Sequence, residues 1–411
     1  MKVLQINKFF RQVGGSERYM FEVSQLLQNE GHEVIFFAMR HPENEHSPQE
    51  SFFVSTIEYG DTTPVYKLKT LWRTVGKTVY SFESRRKMRA LVEAERPDMA
   101  HVHVISHQIS PSILDALRDA GVPTVQSMHD YKQVCPSYQL YIHHKGEICE
   151  RCLSGNYYNA VLQRCIKKSI PGSILAAGAQ YLHRASHIYE KNIDFFIAPS
   201  RFMRDKLVEG GVPREKIRVL AYGIDIGAYA PNYDAGDYAV YFGRLSPEKG
   251  LTTLLHAMER IPDLKLVVVG EGPHRAELER AAERRGLVNI SFVGHKDGDA
   301  LKDLVRNAAF SVLPPEWYEN SPLSIYESHA LGTPVVASRI GGIPELIEDD
   351  ESGLLFTPGD AEELAERMAT LFANKDKCRE MGRRGREKVE RLCAKHYGGL
   401  MAIYEEARTR H

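Results

Sequence analysis

Residues 310–327 read FSVLPPEWYENSPLSIYE, in which a short apolar run is followed by a loop and then by a helical pattern. The run FSVL has the length and composition of a buried strand. Ser321 suits a helix cap and Pro322 suits the first helical turn, so we predict a helix that begins there with exposed backbone N–H groups. The stretch therefore predicts the strand, loop and helix from which parallel α/β sheets are built.

The same alternation extends outward from this stretch in both directions. Apolar, β-branched runs predict strands at 3–6, 34–38, 100–104, 124–128, 195–198, 239–242, 264–269, 290–293, 310–313, 335–337 and 354–356. Longer segments of helical periodicity separate these runs, which predicts an α/β fold with two doubly wound parallel sheets. A chain of 411 residues is also too long for one ordinary core.

The boundary between the two predicted domains lies in residues 222–236, which are rich in Gly, Asp and Pro and have no sustained periodicity. We predict an N-terminal domain over 1–221, with a cysteine-containing insert at about 131–170, and a C-terminal domain over 222–393. Residues 394–411 carry apolar side chains on one helical face. We expect this last helix to pack back on the first domain.

The charges of the chain are balanced, with 53 basic and 54 acidic side chains, so no nucleic-acid partner is expected. The start lacks the features of a secretory signal, and no apolar run is long enough for a membrane span, which predicts a cytoplasmic protein. Residues 67–89 have a helical apolar pattern and eight basic residues. This pattern fits peripheral contact with an anionic inner membrane surface, and equally a packed helix with solvated charges.

Two motifs of the second half carry candidate binding chemistry. GRLSPEKG at 243–250 follows a predicted strand and brings Arg244 and Lys249 to a helix N-terminus, where a diphosphate would fit. Glu319 and Glu327 are placed to accept hydrogen bonds from sugar or ribose hydroxyls. An ordinary strand–helix turn with solvated charges, or an acidic helix start, would give the same residues.

Two motifs of the first half also lie at predicted carboxyl ends of strands. Gly14 and Gly15 open a helix and let a phosphate or sugar approach the backbone, but they do not form the G-x-G-x-x-G fingerprint of nicotinamide enzymes. His129 and Asp130 follow the strand 124–128. The histidine could bind a ligand or simply cap a turn, and Asp130 could orient the imidazole or polarise an acceptor hydroxyl.

Taken in order, GRLSPEKG, VVGEGP at 268–273, the spacing of Glu319 and Glu327, GTPVVAS at 332–338 and GGIPELI at 341–347 resemble the family 4 glycosyltransferases. The resemblance implies the GT-B fold, in which two Rossmann-like domains face a central cleft. It also implies transfer of a sugar with retention from a nucleotide-diphosphate sugar to a hydroxyl, with no cofactor required for catalysis. The implied acceptor is a saccharide or lipid-linked intermediate of cell-envelope synthesis.

The resemblance also assigns roles to single residues. It implies that Arg244 and Lys249 hold the donor diphosphate, that Glu319 and His129 contact the donor sugar, and that Glu327 contacts the ribose. Further residues that it places at the donor are Gly14, Gly15, Gly243, Glu271, Ser321, Pro322 and Leu323. A phosphorylase or epimerase of the same architecture, and a nucleotide-sugar-binding protein without turnover, remain alternatives.

Four cysteines lie in the insert, at Cys135, Cys149, Cys152 and Cys165, with a C-x-x-C core. Four soft ligands in a segment with little core of its own suit a tetrahedral structural zinc. Buried free thiols are an equally good interpretation, because the spacing is less regular than that of paired C-x-x-C motifs.

Overall fold

The computed structural model describes residues 1–56, 74–106, 108–234 and 236–411. The elements of the first half are β1 Lys2–Ile6, α1 Gly15–Asn29, β2 Glu33–Phe37, α2 Phe82–Glu95, β3 Met99–Val102, α3 Ser112–Asp119, β4 Thr124–Ser127, β5 Tyr141–Ile142, β6 Glu147–Ile148, α4 Asn159–Leu162, α5 Ile170–Ser186, β7 Phe195–Ala198, α6 Arg201–Glu209 and β8 Ile217–Val219. Those of the second half are β9 Tyr238–Phe242, α7 Leu251–Met258, β10 Lys265–Val269, α8 Arg275–Arg284, β11 Ile290–Gly294, α9 Gly298–Arg306, β12 Phe310–Leu313, α10 Leu323–Ala330, β13 Val335–Ser338, α11 Ile343–Leu346, β14 Gly353–Phe356, α12 Ala361–Phe372 and α13 Lys375–Arg408.

The chain forms two compact units. Unit 1 consists of Met1–Leu140, Cys149–Gly223 and His396–His411, and unit 2 consists of Tyr141–Ile148 and Ile224–Lys395. The hairpin of β5 and β6 therefore belongs to unit 2, although the residues on either side of it belong to unit 1. The last helix is continuous from Lys375 to Arg408, so it does not begin at residue 394 as the sequence pattern suggested.

Unit 1 is built on a sheet in the order β2-β1-β3-β4-β7-β8, and all of its described pairings are parallel. Serine side chains begin three of its helices: Ser81, Ser169 and Ser200 each accept a hydrogen bond from a backbone N–H of the first turn. Such caps satisfy N–H groups that have no partner within the helix. They explain why α2, α5 and α6 start where they do.

The end of α13 packs against unit 1 through buried aromatic contacts. Tyr404 is fully buried, and its hydroxyl lies 2.7 Å from Nδ1 of His101 on β3. His396 Nδ1 lies 2.8 Å from the carbonyl oxygen of Ala221. Because these contacts remove large apolar rings from water, they hold the last turns of the chain on this sheet.

Unit 2 repeats the architecture with a sheet in the order β11-β10-β9-β12-β13-β14, again with parallel pairings throughout the described strands. Its core is a single cluster that includes Leu254, Met258, Val268, Val312 and Phe356, each at most 1% exposed. Two parallel sheets covered by helices confirm the predicted α/β fold of two Rossmann-like domains.

The prediction of one continuous amphipathic helix over 67–89 is wrong for residues 74–89; residues 67–73 lie outside the described residues. Residues 74–79 are helical, but the helix stops before Tyr80, and Ser81 caps a new helix, α2. Lys77 and Lys87 donate to the carbonyl oxygens of Ser55 and Phe53. Arg85 pairs with Asp119 2.8 Å away. These three cations therefore have partners within the protein, and a membrane contact of residues 67–89 stays a prediction.

Candidate active site

Unit 2 reverses its strand order between β9 and β12. From β9 the sheet continues through β10 to β11, and from β12 it continues on the other side through β13 to β14. Ligands of open α/β sheets bind outside the carboxyl ends of the strands at such a reversal. The loops that leave β9 and β12 are residues 243–250 and 314–322, so the fold brings the two motifs of the sequence to the same place.

Backbone contacts lock these two loops together. The N–H of Glu316 donates to the carbonyl oxygen of Glu248 over 2.9 Å. A Cβ at Gly250 would lie 1.8 Å from the carbonyl oxygen of Pro314, and Gly250 has φ +69°. Only glycine allows this left-handed turn at this distance, so the last glycine of GRLSPEKG is required for the loops to meet.

Both predicted cations are held by carboxylates. Arg244 Nη2 lies 2.7 Å from Glu248 Oε1, and Lys249 Nζ lies 2.5 Å from Glu319 Oε1. The indole N–H of Trp317 also donates to Glu319 Oε1 over 2.8 Å, and Lys249 Nζ stands 5.2 Å from the centre of the Trp317 ring. The structure therefore joins Lys249 and Glu319 directly, two residues that are 70 positions apart in the chain.

Glu248 is the member of this group that sequence reasoning missed. Its side chain is 1% exposed, and its Oε1 accepts hydrogen bonds from Arg244 and, over 2.6 Å, from the Ser246 hydroxyl. His143 Nδ1, on the turn between β5 and β6, lies 3.5 Å from Oε2. The sequence feature that could have identified Glu248 is its position between the two cations of GRLSPEKG. It lies four residues after Arg244, and opposite charges at this spacing pair in helical turns.

The charge state of Glu248 follows from these contacts. Burial raises the pKa of this carboxyl, but hydrogen bonds from His143, Ser246, its own backbone N–H and Arg244 outweigh burial, and the net pKa is well below the ordinary value of 4.5. Glu248 is therefore ionised at neutral pH and acts as a fixed counter-charge that holds the Arg244 side chain.

The helix after β12 begins slightly later than predicted. The cap position is Pro322 and the first helical residue is Leu323, and the hydroxyl of Ser321 lies 2.9 Å from the Tyr326 hydroxyl instead of capping the helix. The prediction of a Ser321 side-chain cap is thus wrong. The first backbone N–H groups of α10 still have no partner within the helix, which leaves donors for an anion at this end.

The two glutamates differ in their surroundings. Glu319 lies in the loop with its side chain 13% exposed, and its carbonyl oxygen accepts from Gly342 N–H over 2.7 Å. A Cβ at Gly341 would lie 2.2 Å from that oxygen, so the GGIP turn fixes the Glu319 backbone. Glu327 is 8% exposed, inside α10. The structure brings Glu319 to Lys249 and places Glu327 one turn into the helix that follows.

Residues 270–275, after β10, form the third loop at this edge. The Leu245 N–H donates to the Glu271 carbonyl oxygen over 2.9 Å, and His274 N–H donates to the Leu245 carbonyl oxygen over 3.0 Å. Gly243 itself donates to the Val269 carbonyl oxygen. The side chain of Glu271, in contrast, is 54% exposed and pairs with Arg275. Through its backbone Glu271 joins this loop to the loop of GRLSPEKG, and its contact with a nucleotide sugar stays a prediction.

In unit 1 the strand order reverses between β1 and β3. The loop after β1 leads to Gly14 and Gly15, which are exposed at the start of α1. Gly14 provides no side chain to cap the helix. Glu17 in the first turn is 4% exposed and accepts from Asn7 Nδ2 over 3.0 Å. The paired glycines thus leave the backbone N–H groups of this helix start accessible.

His129, after β4, belongs to a column of stacked rings. Its ring centre lies 5.2 Å from that of His103, and the rings of His103 and His101 are 4.4 Å apart. His129 Nδ1 lies 2.8 Å from the Tyr222 hydroxyl, and its Nε2 lies 3.0 Å from Nδ1 of His103. Both ring nitrogens of His129 are therefore engaged within unit 1.

Burial keeps the column neutral. It lowers the pKa of His129 and of His101 to about 3, and the pKa of His103 lies well below 6.5 for the same reason. With neutral rings, Gln5 Oε1, 2.8 Å from His103 Nε2, accepts the proton of that nitrogen. His129 then donates to His103 from Nε2 and accepts from Tyr222 at Nδ1. Tyr222 and His103 therefore orient the imidazole.

Asp130 faces a different set of groups. Burial raises the pKa of its carboxyl to about 6, although its Oδ1 accepts from the Lys132 N–H over 2.9 Å. Asp130 lines a recess together with His103, Gln126, Lys132 and Tyr189. A carboxyl that titrates near neutral pH beside a recess is suited to polarise a hydroxyl group.

All four cysteines of the insert are free thiols. Burial, together with the charges of the nearby Cys135, Cys149 and Cys165, raises the pKa of the Cys152 thiol to about 12. Within the described part of the chain, however, no three Cys, His, Asp or Glu side chains are arranged to hold a metal ion. Structural zinc stays a prediction.

Models of known families match nearly the whole chain. The model described as Glycosyltransferase Family 4 matches residues 13–227, and the one described as Glycosyl transferases group 1 matches residues 230–388. The chain belongs to glycosyltransferase family 4. The first match contains every strand of the first sheet except β1, and the second match contains every strand of the second sheet. The resemblance inferred from the motifs is confirmed.

Individual relatives of this family 4 member are distant. Sulfoquinovosyl transferase SQD2 from Arabidopsis thaliana is 28% identical over 229 residues, which are 52% of this chain and 43% of the relative. The putative colanic acid biosynthesis glycosyltransferase WcaL from Escherichia coli is 29% identical over 212 residues, which are 48% of this chain and 52% of WcaL. The match thus spans about half of each of these curated relatives.

Solved structures share the fold over the full length. HepE from Anabaena, crystallised in complex with UDP, has a TM-score of 0.68 and 16% identity, and the match covers 98% of this chain and 100% of HepE. At this identity the likeness shows the GT-B fold of this family 4 member. Its chemistry has to be argued from the site.

Proposed function

We propose that this protein transfers a glycosyl unit from a nucleotide-diphosphate sugar to a hydroxyl group, with retention at the anomeric carbon. The observation that carries the proposal is the ion pair of Lys249 with Glu319, which joins the loop of GRLSPEKG to the loop that leads into α10 at the strand reversal of unit 2. Two cations and unpaired helix N–H groups form a site for a diphosphate. Membership of family 4 and the UDP complex of HepE are consistent with that ligand.

Without a bound nucleotide sugar, carboxylates pair with the two cations that the proposal assigns to its phosphates. Lys249 is paired with Glu319, so binding of a diphosphate would give Lys249 a new anionic partner and release the Glu319 carboxylate. The released carboxylate, still held by its backbone bond to Gly342, would accept hydrogen bonds from sugar hydroxyls. Arg244 stays paired with Glu248 because that carboxylate is buried.

Catalysis then depends on the charge of the departing diphosphate. Cleavage of the bond between sugar and phosphate places negative charge on the leaving oxygen, and preorganised donors aimed at that charge lower the barrier. Arg244, Lys249 and the first N–H groups of α10 would supply this stabilisation. No catalytic metal is part of the proposal.

The acceptor side is assigned to unit 1, with an acceptor that carries a free hydroxyl. The carboxyl of Asp130, whose pKa is raised by burial to about 6, is placed to polarise that hydroxyl from the recess beside His129. The name of WcaL assigns that relative, putatively, to colanic acid biosynthesis. A saccharide or lipid-linked intermediate of the cell envelope is the acceptor class that we propose here.

The first experiment identifies the donor. The purified chain is heated with UDP, GDP or ADP and with their sugars, because a ligand that binds only the folded state raises its apparent stability, by about 2.7 kcal/mol at a hundred times its Kd. One nucleotide series should stabilise the protein, and its sugar should release nucleotide in the presence of an acceptor. Stabilisation without nucleotide release from any donor would instead identify a binding protein without turnover.

A further inference from the structure

A patch of large apolar side chains is exposed on unit 1, on α4 and α5 of the insert region. Among the described residues of the chain, ten large hydrophobic side chains are notably exposed, and six of these lie between residues 158 and 182. They are Tyr158, Leu162, Ile170, Ile174, Tyr181 and Leu182. Single exposed apolar residues are common on proteins, but a contiguous group of them marks an interaction surface.

The patch follows the geometry of one helix face. At about 100° per residue, Ile170, Ile174 and Tyr181 fall within about 40° of one another around α5. The opposite face of the same helix, with Ser173 and Ala176, is buried in unit 1. The backbone N–H of Tyr158 donates to the Tyr181 hydroxyl over 3.2 Å, which joins the end of α4 to this stripe. Ile170, Ile174, Tyr181 and Tyr158 therefore form one surface, with Leu162 and Leu182 exposed on the same two helices, and we call this region the 158–182 surface.

The segment that carries the 158–182 surface has charged side chains of one sign. No Asp or Glu occurs between residues 151 and 189, in a chain that has 54 of them among 411 residues. Arg164, Lys167 and Lys168 are exposed in the turn between α4 and α5. A basic rim around an apolar, aromatic-containing stripe complements an anionic lipid surface, where apolar side chains enter the bilayer and cations contact the headgroups.

In the absence of a ligand, the position of these cations lowers the stability of the folded protein. Lys167 and Lys168 directly precede Ser169, which caps α5, so they stand at the positive end of the helix dipole. Arg164, Lys167 and Lys168 also have positive φ values of 48°, 48° and 61°, a conformation that is strained for residues with a Cβ. Anionic headgroups at this turn would offset both the unfavourable dipole and the clustered charge.

We propose that the 158–182 surface seats the protein on an anionic membrane, with α5 lying in the plane of the interface. Among the described helices, none is both long and apolar enough to cross a bilayer, so the contact is one of adsorption. The inference does not depend on which nucleotide sugar the enzyme uses.

The test is co-sedimentation of the full chain with vesicles of neutral phosphatidylcholine and with vesicles that also contain about one third phosphatidylglycerol. The wild-type protein should bind the anionic vesicles, bind the neutral ones at least about tenfold more weakly, and be released by high salt. Ile174→Glu should reduce binding to the anionic vesicles roughly tenfold or more, because it places a charge in the centre of the apolar stripe.

Two further variants make the result specific. Val288→Glu is the matched control, since Val288 is a lone hydrophobic residue that is 97% exposed on unit 2, and it should bind vesicles like the wild type. Lys167→Gln with Lys168→Gln should weaken binding and reduce its salt dependence without a change in the apolar stripe. Thermal unfolding of each variant shows whether it is folded.

Three outcomes would overturn the inference. The first is a wild-type protein that does not sediment with anionic vesicles. The second is equal vesicle binding by Ile174→Glu and Val288→Glu. The third is a wild-type dimer in light scattering that Ile174→Glu converts to a monomer while vesicle binding is unchanged, which would assign the patch to a second copy of the chain.

Discussion

Replacement of Arg244 by alanine tests two roles of this residue, one in stability and one in the proposed reaction. In the folded protein Arg244 forms an ion pair with the buried carboxylate of Glu248 over 2.7 Å, and the Arg244 side chain is 59% exposed to solvent. In the proposed reaction it also faces the departing diphosphate. Loss of one such preorganised donor costs about 2–4 kcal/mol of transition-state stabilisation. Because water screens a side chain this exposed, we expect the lower end of that range, a fall in kcat/KM of about thirtyfold.

The same substitution leaves Glu248 buried with Ser246 and His143 as its remaining partners. An incompletely paired buried carboxylate lowers the free energy of unfolding by roughly 1–3 kcal/mol. Since the pKa of Glu248 is depressed, its favourable contribution in the wild type is fully present above about pH 4.5, its ordinary value, and is lost as the pH falls below it. Arg244→Ala should therefore lose part of this acid-dependent stability.

Two measurements keep the catalytic and structural effects apart. Nucleotide release gives kcat/KM, and urea unfolding gives stability. The double variant Arg244→Ala, Glu248→Gln should recover much of the stability while the reaction stays slow, because the buried charge is gone but the donor to the diphosphate is still missing. Arg260→Ala is the control, since Arg260 is similarly exposed at 54% and pairs with Glu362 on the surface. Near-normal kcat/KM in Arg244→Ala, or an equal loss in Arg260→Ala, would refute the assignment.

Two further predictions concern unit 1. The pKa of His101 is lowered by burial to about 3, from an ordinary 6.5, so the unfolded chain takes up a proton below pH 6.5 that the folded chain does not. Because of this residue, the free energy of unfolding should fall by about 2 kcal/mol between pH 6.5 and pH 5. Urea titrations of His101→Gln should show a correspondingly flatter pH dependence. Metal analysis of the purified chain distinguishes the two interpretations of the insert cysteines. A structural zinc predicts one zinc per molecule that is lost in Cys149→Ser and in Cys152→Ser but retained in Cys378→Ser, whose thiol is buried on unit 2, whereas four titratable thiols and no zinc would exclude the site.

Much of the fold could be predicted because the strands of parallel sheets are buried on both faces. The runs at 195–198 and 310–313 were located to the residue, and the other predicted strands were displaced by at most two residues at either end. Two features were missed for one reason. The strand Ile217–Val219 and the hairpin of β5 and β6 are short and contain polar residues, so neither has the apolar signal that marks a buried strand.

The helices show where local patterns are insufficient. Residues 67–89 have one continuous apolar periodicity, but Ser81 offers its hydroxyl as a cap to Ser84 N–H, and a new helix starts there. Ser321 looked like a cap by the same local rule. Its hydroxyl instead meets Tyr326, which is 1% exposed in the same helix. In both cases the choice between a cap and a side-chain contact depended on neighbours that the pattern does not contain.

The sequence by itself determined the family, the two parallel sheets and the residue types at the carboxyl ends of their strands, because these depend on local periodicity and on motifs of adjacent residues. Only the tertiary structure decided which charges neutralise one another. The pairing of Lys249 with Glu319, the burial of Glu248 and the stacking of His129 on His103 join residues that are distant in the chain or hidden by packing. Ion pairing and desolvation act through space, so they become visible only when the sheets have brought the loops together.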